Sequence, residues 1–133
     1  MDPTLRASLQ QLIEDERPAS LIALADLVEP LRQANDEAAL IDLFSLFRDG
    51  DEVEDKMWVL LHAVESLPFE RYLDTLLDVL PELGSSAPDR AMWLVGRVHN
   101  SEPHWQVLED RLTRSTGRTR ILVGQLVDRW LKE

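Results

Sequence analysis

Cysteine is absent from the 133 residues, and that removes three kinds of chemistry at once. No disulfide can form, no thiolate can hold a metal, and no cysteine nucleophile is available. Histidine is scarce. His62, His99 and His104 are the only three, and none pairs with another at metal-binding helical spacing, so there is no HExxH site. The nucleotide-cradling and nucleophile-elbow patterns, Walker loop, GxGxxG and GxSxG, do not occur. No window approaches 18 uncharged apolar residues, so no membrane span is expected. Met1-Asp2-Pro3-Thr4 lacks the basic start and apolar run of a secretory leader, and a cytoplasmic location is the expectation. Val-rich alternation is also missing, which leaves no credible strand.

Acid predominates over base. The net charge is −11, and it is unevenly spread. Residues 1–89 hold 20 acids and 6 bases, whereas residues 90–133 hold 5 acids and 8 bases. Such a chain repels nucleic acid and anionic lipid and attracts basic partners. Solubility alone would also account for the excess of acid.

Apolar residues recur at the helical period, with a charge every three or four positions. The helices are expected over about 3–14, 19–33, 36–48, 51–66, 68–83, 87–100, 102–114 and 117–132. Three starts share one pattern: Ser66-Leu67-Pro68, Ser86-Ala87-Pro88 and Ser101-Glu102-Pro103. A serine oxygen can cap the first amides of a helix, and proline in the first turn gives up no needed hydrogen bond. Ser86 with Asp89, and Asp51 with Glu54, resemble capping boxes. Pro30 is expected to kink or split its helix, and Pro81 to tighten the end of its own. Gly50 and Gly84 fall where a helix end favours a left-handed residue.

The expected core stripes are Val53, Met57, Leu60, Leu61, Val64 and Leu67, then Leu73, Leu76, Leu77 and Leu80. Ala91, Leu94, Val95 and Val98 follow, and then Leu122, Leu126, Val127, Trp130 and Leu131. Short connections between helices imply antiparallel neighbours. The fold class is therefore all-α, in a single domain of residues 1–133. Its about eight helices form stacked antiparallel hairpins, either a HEAT-like short solenoid or a helical bundle. The serine-proline starts are unevenly spaced and do not define a sequence repeat.

The run Asp49-Gly50-Asp51-Glu52-Val53-Glu54-Asp55 suggests a calcium loop and then fails as one. An EF-hand needs an oxygen ligand fifth and glycine sixth, and here those are Val53 and Glu54. The carboxylates suit a helix N-terminus, where the macrodipole favours negative charge. No metal and no cofactor are expected. His62 and Glu65, three apart, are too few to define an acid–base site. The run from 49 to 55 is the densest negative patch, with five acids and no base.

Asp51, Asp55, Trp58, His62 and Glu65 fall along one helical stripe beside the core stripe, with Glu52 in the acidic cluster. Trp93 and Arg97 sit similarly on a later helix. Tryptophan and arginine are favoured in binding hot spots, although each Trp could instead fill a wide gap between helices. Packing is the favoured reading for Trp105 and Trp130. The candidate partner-binding residues are Asp51, Glu52, Asp55, Trp58, His62, Glu65, Trp93 and Arg97.

Three stretches carry a family resemblance. They are Asp55-Lys56-Met57-Trp58-Val59-Leu60-Leu61-His62-Ala63-Val64-Glu65-Ser66, the run Tyr72-Leu73-Asp74-Thr75-Leu76-Leu77 continuing to Leu80-Pro81-Glu82-Leu83, and Ala91-Met92-Trp93-Leu94-Val95-Gly96-Arg97-Val98-His99-Asn100-Ser101. Together, over about residues 36–115, they resemble the bacterial immunity protein 30 family. That family is found beside polymorphic toxins and contact-dependent growth inhibition systems. His99 is a small departure from its pattern, which favours leucine before Asn-Ser.

The resemblance implies a cytoplasmic, non-enzymatic antidote that binds a cognate toxin C-terminal domain and blocks it stoichiometrically. A small acidic chain without a catalytic motif suits an inhibitor of a basic toxin, with a nuclease as the expected type. Neither nucleic acid nor membrane is an expected partner, and the oligomeric state stays open. The alternative is a helical-repeat scaffold or adaptor that binds other cellular proteins.

Overall fold

A computed structural model describes residues 1–133 as eight α-helices and two short 3₁₀ turns, without a strand. The expectation of an all-α chain of about eight helices is met. The helices are α1 (Pro3–Glu14), α2 (Ala19–Gln33), α3 (Glu37–Asp42), α4 (Glu54–Val64), α5 (Phe69–Ser86), α6 (Pro88–His99), α7 (Glu102–Leu112) and α8 (Gly117–Lys132). The chain divides into two compact units, Met1–Thr75 and Leu76–Glu133.

In the first unit α2 packs on α1 and α4, around Leu9, Leu24, Val28, Leu40, Met57, Leu60 and Leu61. The third expected helix stops early. After Asp42 the chain tightens into a 3₁₀ turn, Leu43–Leu46. Leu43, Phe44, Leu46 and Phe47 are all buried, a density of apolar residues that no single α-helical stripe can serve. Phe44 anchors the cluster, with ring centroids 6.1 Å from Phe47 and 5.8 Å from Tyr72.

Gly50 has a φ of 119°, a conformation that L side chains rarely adopt, but it leads into the 3₁₀ turn Asp51–Val53 and does not close the expected helix, which ends earlier. Gly84 does not share that conformation. α5 runs through Pro81 and Gly84 to Ser86 in helical conformation. Likewise α2 is not split at Pro30 and continues to Gln33.

The prolines mark helix starts better than the serines do. Pro88 and Pro103 lie in the first turns of α6 and α7, but neither Ser86 nor Ser101 makes a side-chain cap. Ser86 still belongs to α5, and the Ser66 hydroxyl donates backward to the Ala63 carbonyl at 2.5 Å. The caps that form are Asp2 on the Thr4 amide, Asp36 on the Ala39 amide and Thr116 on the Thr119 amide.

In the second unit α6 packs on α7 and α8. Ala91, Leu94, Val95 and Val98 are buried as expected. On α8 the buried positions are Val123, Leu126 and Val127, whereas Leu131, expected in the core, is exposed. The core face of α8 is therefore turned toward Val123, with Leu122 only half-buried.

The α1–α2 connection is held by polar contacts. The Asp15 carboxylate accepts from the Arg17 amide at 2.9 Å and from its Nε at 3.0 Å. These bonds, and the guanidinium charge with them, draw the Asp15 pKa from an ordinary 3.8 down to about 2. A depressed carboxylate stabilises the fold above its ordinary range, and that contribution is lost as pH falls from about 4 through about 2. Arg17→Ala should return the Asp15 pKa toward 3.8, which a carbon-detected NMR titration would read; an unmoved pKa would refute the assignment to Arg17.

Candidate functional site

The acid cluster, expected as the first turn of one long helix, begins as a 3₁₀ turn at Asp51–Val53. The α-helix starts only at Glu54, and Val53, not Asp51, is the residue before it. No capping box forms there. Asp51 and Glu52 therefore precede the α-helical stripe instead of sharing its register. Both are exposed, as is Asp55 in the first turn of α4. Three carboxylates in the turn Glu52–Asp55 face the positive end of the α4 dipole.

From Asp55 the stripe continues as read: Trp58 half-buried, His62 exposed, and Glu65 exposed at the helix end. The Trp58 and His62 rings lie 5.7 Å apart between centroids, at 51°. His62 also lines a recess of about 150 Å³ with Val59 of α4 and Ala25, Val28, Glu29 and Arg32 of α2. Glu29 and Arg32, one turn apart on α2, pair at its rim at 2.9 Å. The face of α4 thus presents a part-covered indole, an imidazole and a shallow recess of mixed polar and apolar lining. The sequence signal for α2's share was available in the spacing of Ala25, Val28, Glu29 and Arg32, but nothing local assigned it to α4.

The core side of α4 holds a residue that periodicity concealed. Lys56 is 8% exposed, and its ammonium donates to the Ile13 carbonyl at 3.1 Å and to the Asp15 carbonyl. It closes the C-terminal end of α1, whose last carbonyls lack partners within the helix.

Trp93 and Arg97 lie on α6, in the second unit, and both are half-buried. The Arg90 guanidinium sits over the Trp93 ring, 5.4 Å from its centroid. That cation–π contact holds the indole while part of it stays exposed. Trp105 and Trp130 are packing residues. Trp105 meets His99 edge-on at 4.8 Å between centroids. Trp130 lies over Gly96 and donates its indole N–H to the Asn100 side chain at 3.3 Å. Gly96 and Asn100 of the third resemblance stretch therefore serve as the seat of the α8 tryptophan.

No group of three His, Asp or Glu side chains converges to hold a metal ion, and no helix is long and apolar enough to cross a membrane. The family model for immunity protein 30 matches residues 9–108, three-quarters of the chain. The chain belongs to the immunity protein 30 family. The match starts well before the stretches in which the resemblance is concentrated, and it takes in α2 and its side of the α4 recess. Membership in an immunity family carries a general function, the neutralisation of a toxin by binding it. The turn before α8, and α8 itself, lie outside the match. No curated protein and no solved structure matches the chain.

Proposed function

We propose that this immunity protein acts in the cytoplasm, in a contact-dependent growth inhibition system, by covering the basic surface of a cognate toxin domain. The toxin is a nuclease, and the block is stoichiometric. Membership in the immunity protein 30 family is the observation that carries this reading. The carboxylate-rich start of α4 supports it, because a nuclease groove that binds phosphate is basic and meets acid favourably. Asp51, Glu52, Asp55 and Glu65 would form the charged rim, and Trp58 with His62 its centre. Trp93 and Arg97 would add a further contact from α6. A polar rim around a desolvated aromatic anchor is the usual anatomy of a tight interface.

The direct test is co-expression with the toxin domain encoded by the adjacent upstream gene. Growth should be restored and nuclease activity lost at one equivalent of this protein; persistent toxicity at a molar excess would refute the reading. The charge reversal Glu52→Lys with Asp55→Lys should slow association about tenfold at low salt and flatten its salt dependence. Stopped-flow association rates check this, and an unchanged rate would move the binding face elsewhere. Trp58→Ala should cost about 2 kcal/mol in affinity. Its melting temperature must be measured alongside, since loss of stability without loss of affinity would make the ring a packing residue.

The chain is further proposed to behave as one domain. α5 begins in the first unit and ends in the second, so melting either unit frays a helix that the other uses. Far-UV circular dichroism and tryptophan fluorescence should then give coincident transitions, and two separated midpoints would divide the chain.

A further inference from the structure

The second unit carries a surface of opposite character to the acidic α4 start. Residues 111–127 contain four arginines, Arg111, Arg114, Arg118 and Arg120, and no acid. A groove of about 510 Å³ runs between the end of α5 and the first half of α8. Pro81 and Gly84 line one side, Ile121 and Leu122 the other, and Arg118 stands at its edge. No acidic and no aromatic side chain lines it. Ile121 is 63% exposed, a large aliphatic side chain left in water beside an apolar floor. Arg120 is partly committed, with its guanidinium donating to the Leu112 and Ser115 carbonyls and holding the turn. Arg114 and Arg118 are exposed.

We propose that this groove docks an acidic segment of a protein partner, one that places an aliphatic side chain against Ile121 and Leu122 and a carboxylate against Arg118. Charge complementarity selects the occupant. At physiological salt, fields reach only about 8 Å, so the charges that line the groove decide, and those are one cation, Arg118, and no acid. The volume suits several side chains of a peptide, not one. Single-stranded nucleic acid fits poorly, because such sites stack bases on aromatic rings and this groove has none. A second copy of the chain fits poorly as well. Its densest acidic stretch, 49–55, offers only Val53 as an aliphatic side chain, and Val53 is buried. The groove is built mainly by α8, which lies outside the family match. The inference therefore stands apart from toxin neutralisation and can fail separately from it.

The test uses the full chain and a fluorescein-labelled hexapeptide of alternating Glu and Leu, with an all-Glu hexapeptide and a single-stranded oligonucleotide as comparators. The Glu-Leu peptide should bind in the micromolar to millimolar range and shift backbone amide resonances of residues 116–125. The all-Glu peptide should bind at least about fivefold more weakly. Arg118→Glu and Ile121→Asp, both at exposed positions, should each weaken the Glu-Leu peptide at least about tenfold with an unchanged melting temperature. No binding by millimolar peptide, shifts confined elsewhere, or tighter binding of the oligonucleotide would overturn the proposal. So would self-association in sedimentation velocity that Ile121→Asp abolishes.

Discussion

Gly96→Ala should lower the stability of the protein by about 3 kcal/mol, and the melting temperature by about 10 °C. In most helices the same change is favourable, because alanine exceeds glycine in helix propensity by about 1 kcal/mol. Gly96 is buried in the middle of α6, where that gain would apply. However, a Cβ built there falls inside the Trp130 indole, with Cδ2, Cε2 and Cε3 all within 2.6 Å. An indole is rigid and has no flexible end that can give way. Relief requires either separating α6 from α8 or expelling the ring, and expulsion also breaks the Trp130 bond to Asn100. Gly124→Ala is the control. It lies on α8 with nothing within 4 Å of its would-be Cβ, so it should gain up to about 1 kcal/mol. Urea unfolding of the two variants checks the contrast. A Gly96→Ala variant as stable as the parent would show that Trp130 does not occupy this seat.

That contact also shows where sequence reasoning stops. Periodicity reports which face of a helix is apolar, and it placed Met57, Leu60, Leu61, Leu94 and Val95 correctly in the core. Proline reports where helices start, as in α1, α6 and α7, whereas Pro30, Pro81 and Gly84 do not end the helices that contain them. Neither signal says which residue a face will meet. Nothing near Gly96 in the sequence marks it as a close contact, because its partner is at position 130, and Leu131 has the local spacing of a core residue yet is exposed. The serine caps failed for another reason. A serine two residues before a proline can belong to the preceding helix, as Ser86 does, and bond backward, as Ser66 does. Of the candidate site, the α4 face was legible from spacing alone, from Asp55 through Glu65. The recess that α2 adds beside it depends on packing between helices, which no local pattern encodes.

Lys56→Met should cost about 3 kcal/mol, as much as truncating a buried leucine, although methionine preserves the length and apolar stem of the side chain. Lys56 follows Asp55 of the exposed acidic stripe, yet its ammonium is buried against the end of α1. There the Ile13 and Asp15 carbonyls converge on it, and the Ser20 hydroxyl also reaches the Asp15 carbonyl at 2.8 Å. Removing the charge leaves the Ile13 carbonyl buried without this donor, and an unsatisfied buried acceptor costs about 1–3 kcal/mol by itself. Loss of a charge-assisted bond to the carbonyl of Asp15 adds to that. Arginine is not an equivalent replacement, since a planar fork does not fit where a compact ammonium meets two carbonyls. The effect on toxin binding should be small at saturating folded protein, because Lys56 faces the core while Asp55 and Trp58 face outward. Chemical denaturation should therefore show a large loss for Lys56→Met, whereas calorimetric titration with the toxin at low temperature shows affinity within about threefold of the parent. If affinity falls in step with stability, then the α1–α4 tie does more than hold the fold, and the binding face extends to the α1–α2 connection that Lys56 secures.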